Sequence, residues 1–393
     1  MKHSFIFLLA GLACHHVSAQ NLIFTSGYSS KAITFLLDLE TGLLSSFGEQ
    51  IVEPNLTFAA TSNGNVMYVA HEVSEYQGLG ATGAVSRWLK GRDTFGRPIY
   101  KKFEVWYLAK CDVKINEIHL KIGTFFKQTL SANGTSTCHV YFQKEKGLLH
   151  VSNYGGPGSF TSFKVSPNGE ITSQVYTENY GKGSNVVPSR QEDSHAHGAW
   201  ALGPYVYVAD LGSDKIWHYK EGPGSTIEKA DPEYTSTPPG YGPRHMAFHD
   251  ELNLAYVVFE LQSKIGVYSV DPRGALTEKF MVNIMPEPST SDYAAEIEIS
   301  PSKKHLYVSN RGNGAILAFE ILPDGNLDLV QIQNVDGPMP RHFKIHPNGQ
   351  YMLVALQENK LLTFGIDANS GLLSKIDEKD CPNTPTFIGL LQL

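Results

Sequence analysis

A spacing of sixteen recurs along this chain of 393 residues, linking Leu56 to Glu72, Cys138 to Tyr154, Arg244 to Glu260, Ala295 to Arg311 and Arg341 to Gln357. Each interval reads strand, turn, strand, as in PRHMAFHDELNLAYVVFE, AAEIEISPSKKHLYVSNR and PRHFKIHPNGQYMLVALQ. The two ends of an antiparallel hairpin lie side by side. Every copy therefore delivers two residues to one rim, and copies closed into a ring gather those pairs around one mouth.

A strand signature is legible seven times, at Ile23–Ser26, Met67–Ala70, Leu149–Ser152, Val206–Ala209, Ala255–Val258, Leu306–Ser309 and Met352–Ala355. Alternating aromatic and β-branched residues suit strands packed on both faces. Most copies lead into a second alternating strand (Lys264–Val270, Ala315–Glu320), a turn such as Pro323–Gly325 and a more polar fourth strand. Four antiparallel strands at a period of about fifty residues describe a propeller blade. The expectation is an all-β, seven-bladed β-propeller over residues 20–393, one domain despite its length because radial repetition needs no larger core. Leu22–Ser26 and Thr386–Leu391 are the expected ring closure, which leaves no free edge. Residues 74–137 exceed the period and read as an insertion between the second and third repeats. No stretch carries useful helical periodicity, and Gly155–Gly158 leads into a strand, so it is not a phosphate cradle.

Residues 1–19 have the form of a secretory leader: Lys2, an apolar run from Phe5 to Ala13, and small residues before Gln20. That run is too short to span a bilayer, so a soluble, secreted protein is expected. Losing Lys2 takes the net charge from −7 to −8, which with the absence of a basic aromatic stretch argues against nucleic acid. Cys111, Cys138 and Cys381 would remain, an odd number, with Cys111–Cys138 the expected pair. Asn55 and Asn133 begin glycosylation triplets. No cysteine or histidine spacing suits zinc, and no cofactor or metal is expected. The expected partner is a small anionic molecule bound by a monomer, with neither nucleic acid nor membrane involved.

On the ring, strand starts bring Leu56, Cys138, His197, Arg244, Ala295 and Arg341 to the mouth, and strand ends bring Glu72, Tyr154, Leu211, Glu260, Arg311 and Gln357. His197, Arg244, Glu260 and Arg311 fall on consecutive blades. Two guanidiniums hold carboxylate or phosphate oxygens, a carboxylate moves a proton, and an imidazole orients water or donates to a carbonyl. The set suits making or opening an ester ring on an anionic substrate. It equally suits a wet mouth with a structural ion pair. Glu72 is a rival base, Arg341 a third anion clamp, and His195 lies on the approaching loop. His245 and His342 are expected to face blade packing, and His249 and His346 to sit in turns as structural residues.

The stretches His195–Gly198, Gly242–Met246, Phe259–Leu261, Tyr307–Arg311 and Pro340–Phe343 resemble the seven-bladed propeller lactonases, a family that includes 6-phosphogluconolactonases and carboxymuconate-lactonizing cyclases. The resemblance covers almost the whole chain after the leader and is strongest from about residue 138. It implies a metal-free lactone hydrolase or lactonizing isomerase, in which His197, Arg244, Glu260 and Arg311 match the family's active-site types, with Glu260 shuttling a proton and the arginines binding acid groups. The alternative is a non-catalytic secreted propeller that binds a carbohydrate, peptide or acidic ligand at the same mouth.

Overall fold

The computed structural model describes residues 22–29, 31–51, 55–61, 66–74, 82–92, 98–101, 128–287 and 289–391. They form seven antiparallel sheets, and the chain enters each of blades two to seven at its innermost strand. Blade five is typical: Pro243–His249, Leu254–Phe259, Lys264–Val270 and Leu276–Asn283 lie side by side in that order. Blade one closes the ring, with Pro385–Leu391 pairing Leu22–Gly27 in the register Leu22↔Leu391 to Ser26↔Phe387, as the terminal segments lead one to expect. The sole helical turn among the described residues is Pro223–Ser225. The leader and Cys111 lie outside the described residues.

The second strand of each blade is the most deeply buried element. Val66–His71, Leu254–Phe259 and Tyr351–Leu356 are buried at every position, because blades pack against both of their faces. The tyrosine of the signature then faces a problem of satisfaction, since a buried hydroxyl needs a partner. It finds one on the next blade. Tyr68 donates to the Gly169 carbonyl (3.0 Å), Tyr207 to Gly274 (3.0 Å), Tyr256 to Gly325 (3.0 Å) and Tyr307 to Gly371 (2.8 Å), and Tyr351, just ahead of the seventh signature, donates likewise to Leu39 (3.0 Å). Each such bond is worth roughly 1 kcal/mol net. Together they fix the angular step from blade to blade.

Within the stretch 74–137, Ala84–Arg92 is the third strand of blade two. Its outer neighbour is split: Pro98–Lys101 pairs Leu89–Arg92, and Gln128–Ser131 pairs Ala84–Arg87. Residues 102–127 lie outside the described residues; Lys101 and Gln128, on either side of them, both belong to this outermost strand position. Cys138 is a free buried thiol among the described residues; the expected pairing with Cys111 falls on a residue outside them.

At the mouth, the inner strands share one irregularity. All seven break register near their first residues, leaving Thr57, Cys138, His197, Arg244, Ala295, Arg341 and Thr386 outside the ladder. A bulge bends the strand and re-aims its side chains. It also puts consecutive residues on one side, so the alternation of an ordinary strand fails there. Leu56 is corrected by this register: it pairs His71 and is fully buried, and Thr57 holds the repeat position because that hairpin is one residue shorter.

Candidate functional site

The seven bulged positions encircle the axis. Thr57, Cys138, His197, Arg244, Arg341 and Thr386 line a cavity of about 10 Å3, room for about one water. Beneath it lie Phe58, His139, His245, Glu296, His342 and Phe387. Phe58 stands 4.4 Å from His139, 5.5 Å from His342 and 4.8 Å from Phe387, ring to ring. His245 Nδ1 meets Glu296 Oε1 at 3.0 Å, and His342 Nε2 lies 3.5 Å from Glu296 Oε2. This layer plugs the channel. His245 and His342 therefore do not face blade packing, because the bulge at the preceding arginine turns them toward the axis. Burial holds both imidazoles below their ordinary range, His342 at about 3. Below the plug, the channel opens into a cavity of about 610 Å3 lined by Thr61, Tyr141, Trp200, Phe248 and the Glu298–Lys344 pair, at the end remote from Glu260.

Above the plug, Glu260 is the hub. Its Oε2 accepts from Arg244 Nε at 3.0 Å and pairs Arg311 Nη2 at 3.0 Å, while Oε1 accepts from Arg190 Nη2 at 2.6 Å. Burial pushes its carboxyl up, but the three cations outweigh burial and hold it well below the usual carboxylate range. Arg244 and Arg311 are pinned twice over. Arg244 Nη1 donates to the Ala295 carbonyl at 2.6 Å, and Arg311 donates from Nε to Tyr293 and from Nη2 to Ala294, both at 3.1 Å. Burial and the charge of Arg311 lower Arg244 to about 10, still a cation at neutral pH. His197 is 5 % exposed and its Nδ1 has no partner among the described residues. Burial, then the charge of Arg244, hold it well below its ordinary range, so the ring is neutral.

Arg190 is absent from the sequence reading. It sits on the loop before the inner strand of blade four, where no repeat position marks it, and also donates to the Tyr154 hydroxyl at 3.2 Å. Its side chain is 32 % exposed, against 3 % for Arg244. The loop is tied down by the buried Asp214. One oxygen of that carboxylate accepts from Gln191 Nε2 (2.8 Å) and the Gly242 amide (2.9 Å), the other from Ser184 Oγ (2.7 Å) and the Gly240 amide (2.8 Å). Asp214 thereby joins the segment carrying Arg190 to the one carrying Arg244. Gly242 has φ +65°, and a Cβ there would meet Leu261 and Leu211 at 2.9 and 3.0 Å, so this approach to Arg244 requires glycine.

The second-rank residues gather elsewhere on the rim. Tyr28 Oη donates to both oxygens of Glu72, at 3.0 and 3.1 Å, and Arg341 lies 3.8 Å from Glu72 with its guanidinium 5.3 Å above the Tyr28 ring. His195 sits just before the strand, stacked on Tyr154 at 4.3 Å with Nδ1 2.6 Å from the Tyr154 carbonyl. His249 and His346 are turn-holding residues: each ring accepts an amide from its own turn, at 3.3 Å from Leu252 and 3.3 Å from Asn348. Of the asparagines that begin the two glycosylation triplets in the sequence, Asn55 Nδ2 donates to the Glu72 carbonyl at 3.3 Å, and Asn133 Nδ2 to Gln174 at 2.6 Å. Burial pushes the Cys138 thiol far up, so it is no nucleophile. Four guanidiniums and two carboxylates leave the mouth with a surplus of two positive charges, opposite in sign to the chain's net −7. Such a mouth favours anions.

Comparison with known proteins agrees with this architecture. The family model described as "Lactonase, 7-bladed beta-propeller" matches residues 88–389. The 6-phosphogluconolactonase of Formosa agariphila is 33% identical over 258 residues, covering 63% of this chain and 71% of that protein. The 6-phosphogluconolactonase of Bacillus subtilis is 28% identical over 358 residues, 89% of this chain and 91% of that one. Among solved structures, the periplasmic gluconolactonase of Pseudomonas aeruginosa superposes with a TM-score of 0.79 at 23% identity, covering 94% of this chain and 98% of that one.

Proposed function

The chain belongs to the seven-bladed β-propeller lactonases, an enzyme family, and from that premise we propose that it opens a sugar lactone at the mouth built around Glu260. The carrying observation is a carboxylate shared by Arg244, Arg311 and Arg190, with Arg244 lining one small cavity together with a neutral His197 whose Nδ1 has no partner among the described residues. Water held by His197 attacks the lactone carbonyl carbon, and the charge that develops on the carbonyl oxygen is received by Arg244 at the axis. As that charge grows, the hold of Arg244 on Glu260 weakens, so the carboxylate gains basicity as it takes the proton from water. The ring C–O bond then breaks, Glu260 returns the proton to the departing ring oxygen, and a hydroxy acid results.

One observation favours hydrolysis over the lactonizing direction. The Formosa agariphila and Bacillus subtilis relatives are both named 6-phosphogluconolactonase, a lactone-opening activity. The same reading makes catalysis metal-free, places the protein outside the cytoplasm if residues 1–19 act as a leader, and takes an anionic lactone as substrate. No helix among the described residues is long and apolar enough to cross a membrane. The test is acid release from 6-phosphogluconolactone and gluconolactone by the purified protein, with Glu260→Gln as control. Turnover should fall at least ~100-fold in the variant. A Glu260→Gln protein that keeps full activity removes Glu260 from this role.

A further inference from the structure

The arginines at the mouth are unequally engaged. Arg244 and Arg311 spend donors on Glu260 and on backbone carbonyls, and Arg190 spends Nη2 on Glu260 and Tyr154. Arg341 makes no hydrogen bond among the described residues. Glu72 would be its natural acceptor, but both Glu72 oxygens take the Tyr28 hydroxyl, and the nearest guanidinium nitrogen stays 3.8 Å away. Yet Arg341 is held in place. It occupies a bulge at the axis, its side chain is 16 % exposed, and one face lies over the Tyr28 ring. A guanidinium fixed by stacking, with its donor edge unspent, is prepared for bidentate recognition of a carboxylate or phosphate.

We propose that Arg341, seated on Tyr28, is the specificity-determining residue that binds the anionic tail of the lactone, whereas Arg244 serves its carbonyl. Arg341 and Glu260 stand on different sides of one narrow mouth, so a small molecule reaching both presents its ester to one side and its charge to the other. Tyr28 acts as a positioning residue: by bonding both Glu72 oxygens it keeps that carboxylate out of hydrogen-bond reach of Arg341, 3.8 Å away.

The inference rests on the lactonase reading above, and its test separates the two. The quantity measured is the ratio of kcat/KM for an anionic lactone to that for neutral gluconolactone. One anionic arm carries a phosphate (6-phosphogluconolactone) and the other a carboxylate (glucarolactone). In Arg341→Gln the ratio should fall about 30-fold for whichever tail the wild type prefers, as expected for losing a charge-assisted pair. Arg341→Lys should restore only part, since a point charge lacks the fork. A ratio within threefold of wild type in Arg341→Gln overturns the proposal. Should Arg341→Gln not fold, Tyr28→Phe replaces it: Glu72 is released to pair Arg341, and the ratio should drop about threefold or more, an unchanged ratio again being fatal. If the wild type opens neither class of lactone, the lactonase reading fails by itself. Calorimetry with 6-phosphogluconate then decides the anion seat: binding lost in Arg341→Gln sustains it, and equal binding refutes it.

Discussion

The two sides of the mouth are built from the same repeat positions and have opposite characters. On one side, the bulged Arg244 and the strand-end Glu260 and Arg311 form a closed, buried cluster, with Arg244 bonded through Nε and Nη1 and Arg311 through Nε and Nη2. On the other, the bulged Arg341 and the strand-end Glu72 stay 3.8 Å apart, with Tyr28 taking the carboxylate. One backbone device thus yields both a rigid charged hub and an open cationic edge. The neighbour supplied by the adjoining blade decides between them: a third arginine in one case, a tyrosine hydroxyl in the other. A hub so satisfied suits chemistry that depends on fixed geometry, and an unsatisfied edge suits capture.

The largest effect expected from this contrast is at Glu260. Replacing it by Gln leaves three guanidiniums facing one another in a buried site, and unfolding free energy should drop by about 3–5 kcal/mol, read as a lower urea midpoint, along with the loss of turnover. A stability change below 1 kcal/mol would mean that the cluster is not the rigid member of the pair.

Next comes the plug that supports both sides. His342 is buried and held near 3, while an unfolded chain titrates it near 6.5. Below pH 6.5 the unfolded state binds the proton that the folded state refuses, so stability declines as pH falls through that window. For this one group the loss between pH 6.5 and 5 is about 2 kcal/mol. His342→Gln should flatten the pH dependence of the urea midpoint by that amount, and an unchanged slope would show that the imidazole accepts its proton in the folded state. Glu260 acts lower down: its depressed carboxyl contributes stability above about pH 4.5 that is lost only as pH falls toward its folded value.

A smaller effect belongs to the open side. Glu72→Gln should cost about 1 kcal/mol or less, because the Arg341 contact is long and partly wet. A loss equal to that at Glu260 would erase the distinction between the two sides. The smallest change in stability is expected for Arg190→Gln, within about 1 kcal/mol given its exposure. Its signature is kinetic. Removing one of three cations raises the Glu260 carboxyl, so the acid limb of the kcat/KM profile moves to higher pH, and a stationary limb would detach Arg190 from Glu260.

Much of this was readable from residue order. The signature tyrosines at 68, 207, 256 and 307 announce buried second strands, and a turn glycine lies at 169, 274, 325 and 371, each of which accepts one of those hydroxyls. His197, Arg244, Glu260 and Arg311 share repeat positions, which placed them on one rim. Period counting failed where backbone irregularity intervenes. Leu56 is one residue off because its hairpin is shorter. His245 and His342 were assigned to blade packing by alternation, which a bulge suspends. Arg190 escaped because it belongs to a loop outside the repeat, and its site becomes visible only through the Asp214 contacts that carry the loop over the mouth.

Repetition in the chain was enough to dictate the number of blades, the closure and which residue types reach the axis, since these follow from local strand pairing and its period. Which arginine is spent and which stays open was decided only by folding. That outcome depends on hydrogen-bond geometry between residues hundreds of positions apart, such as Tyr28 and Arg341, and on how many donors compete for one carboxylate at close range.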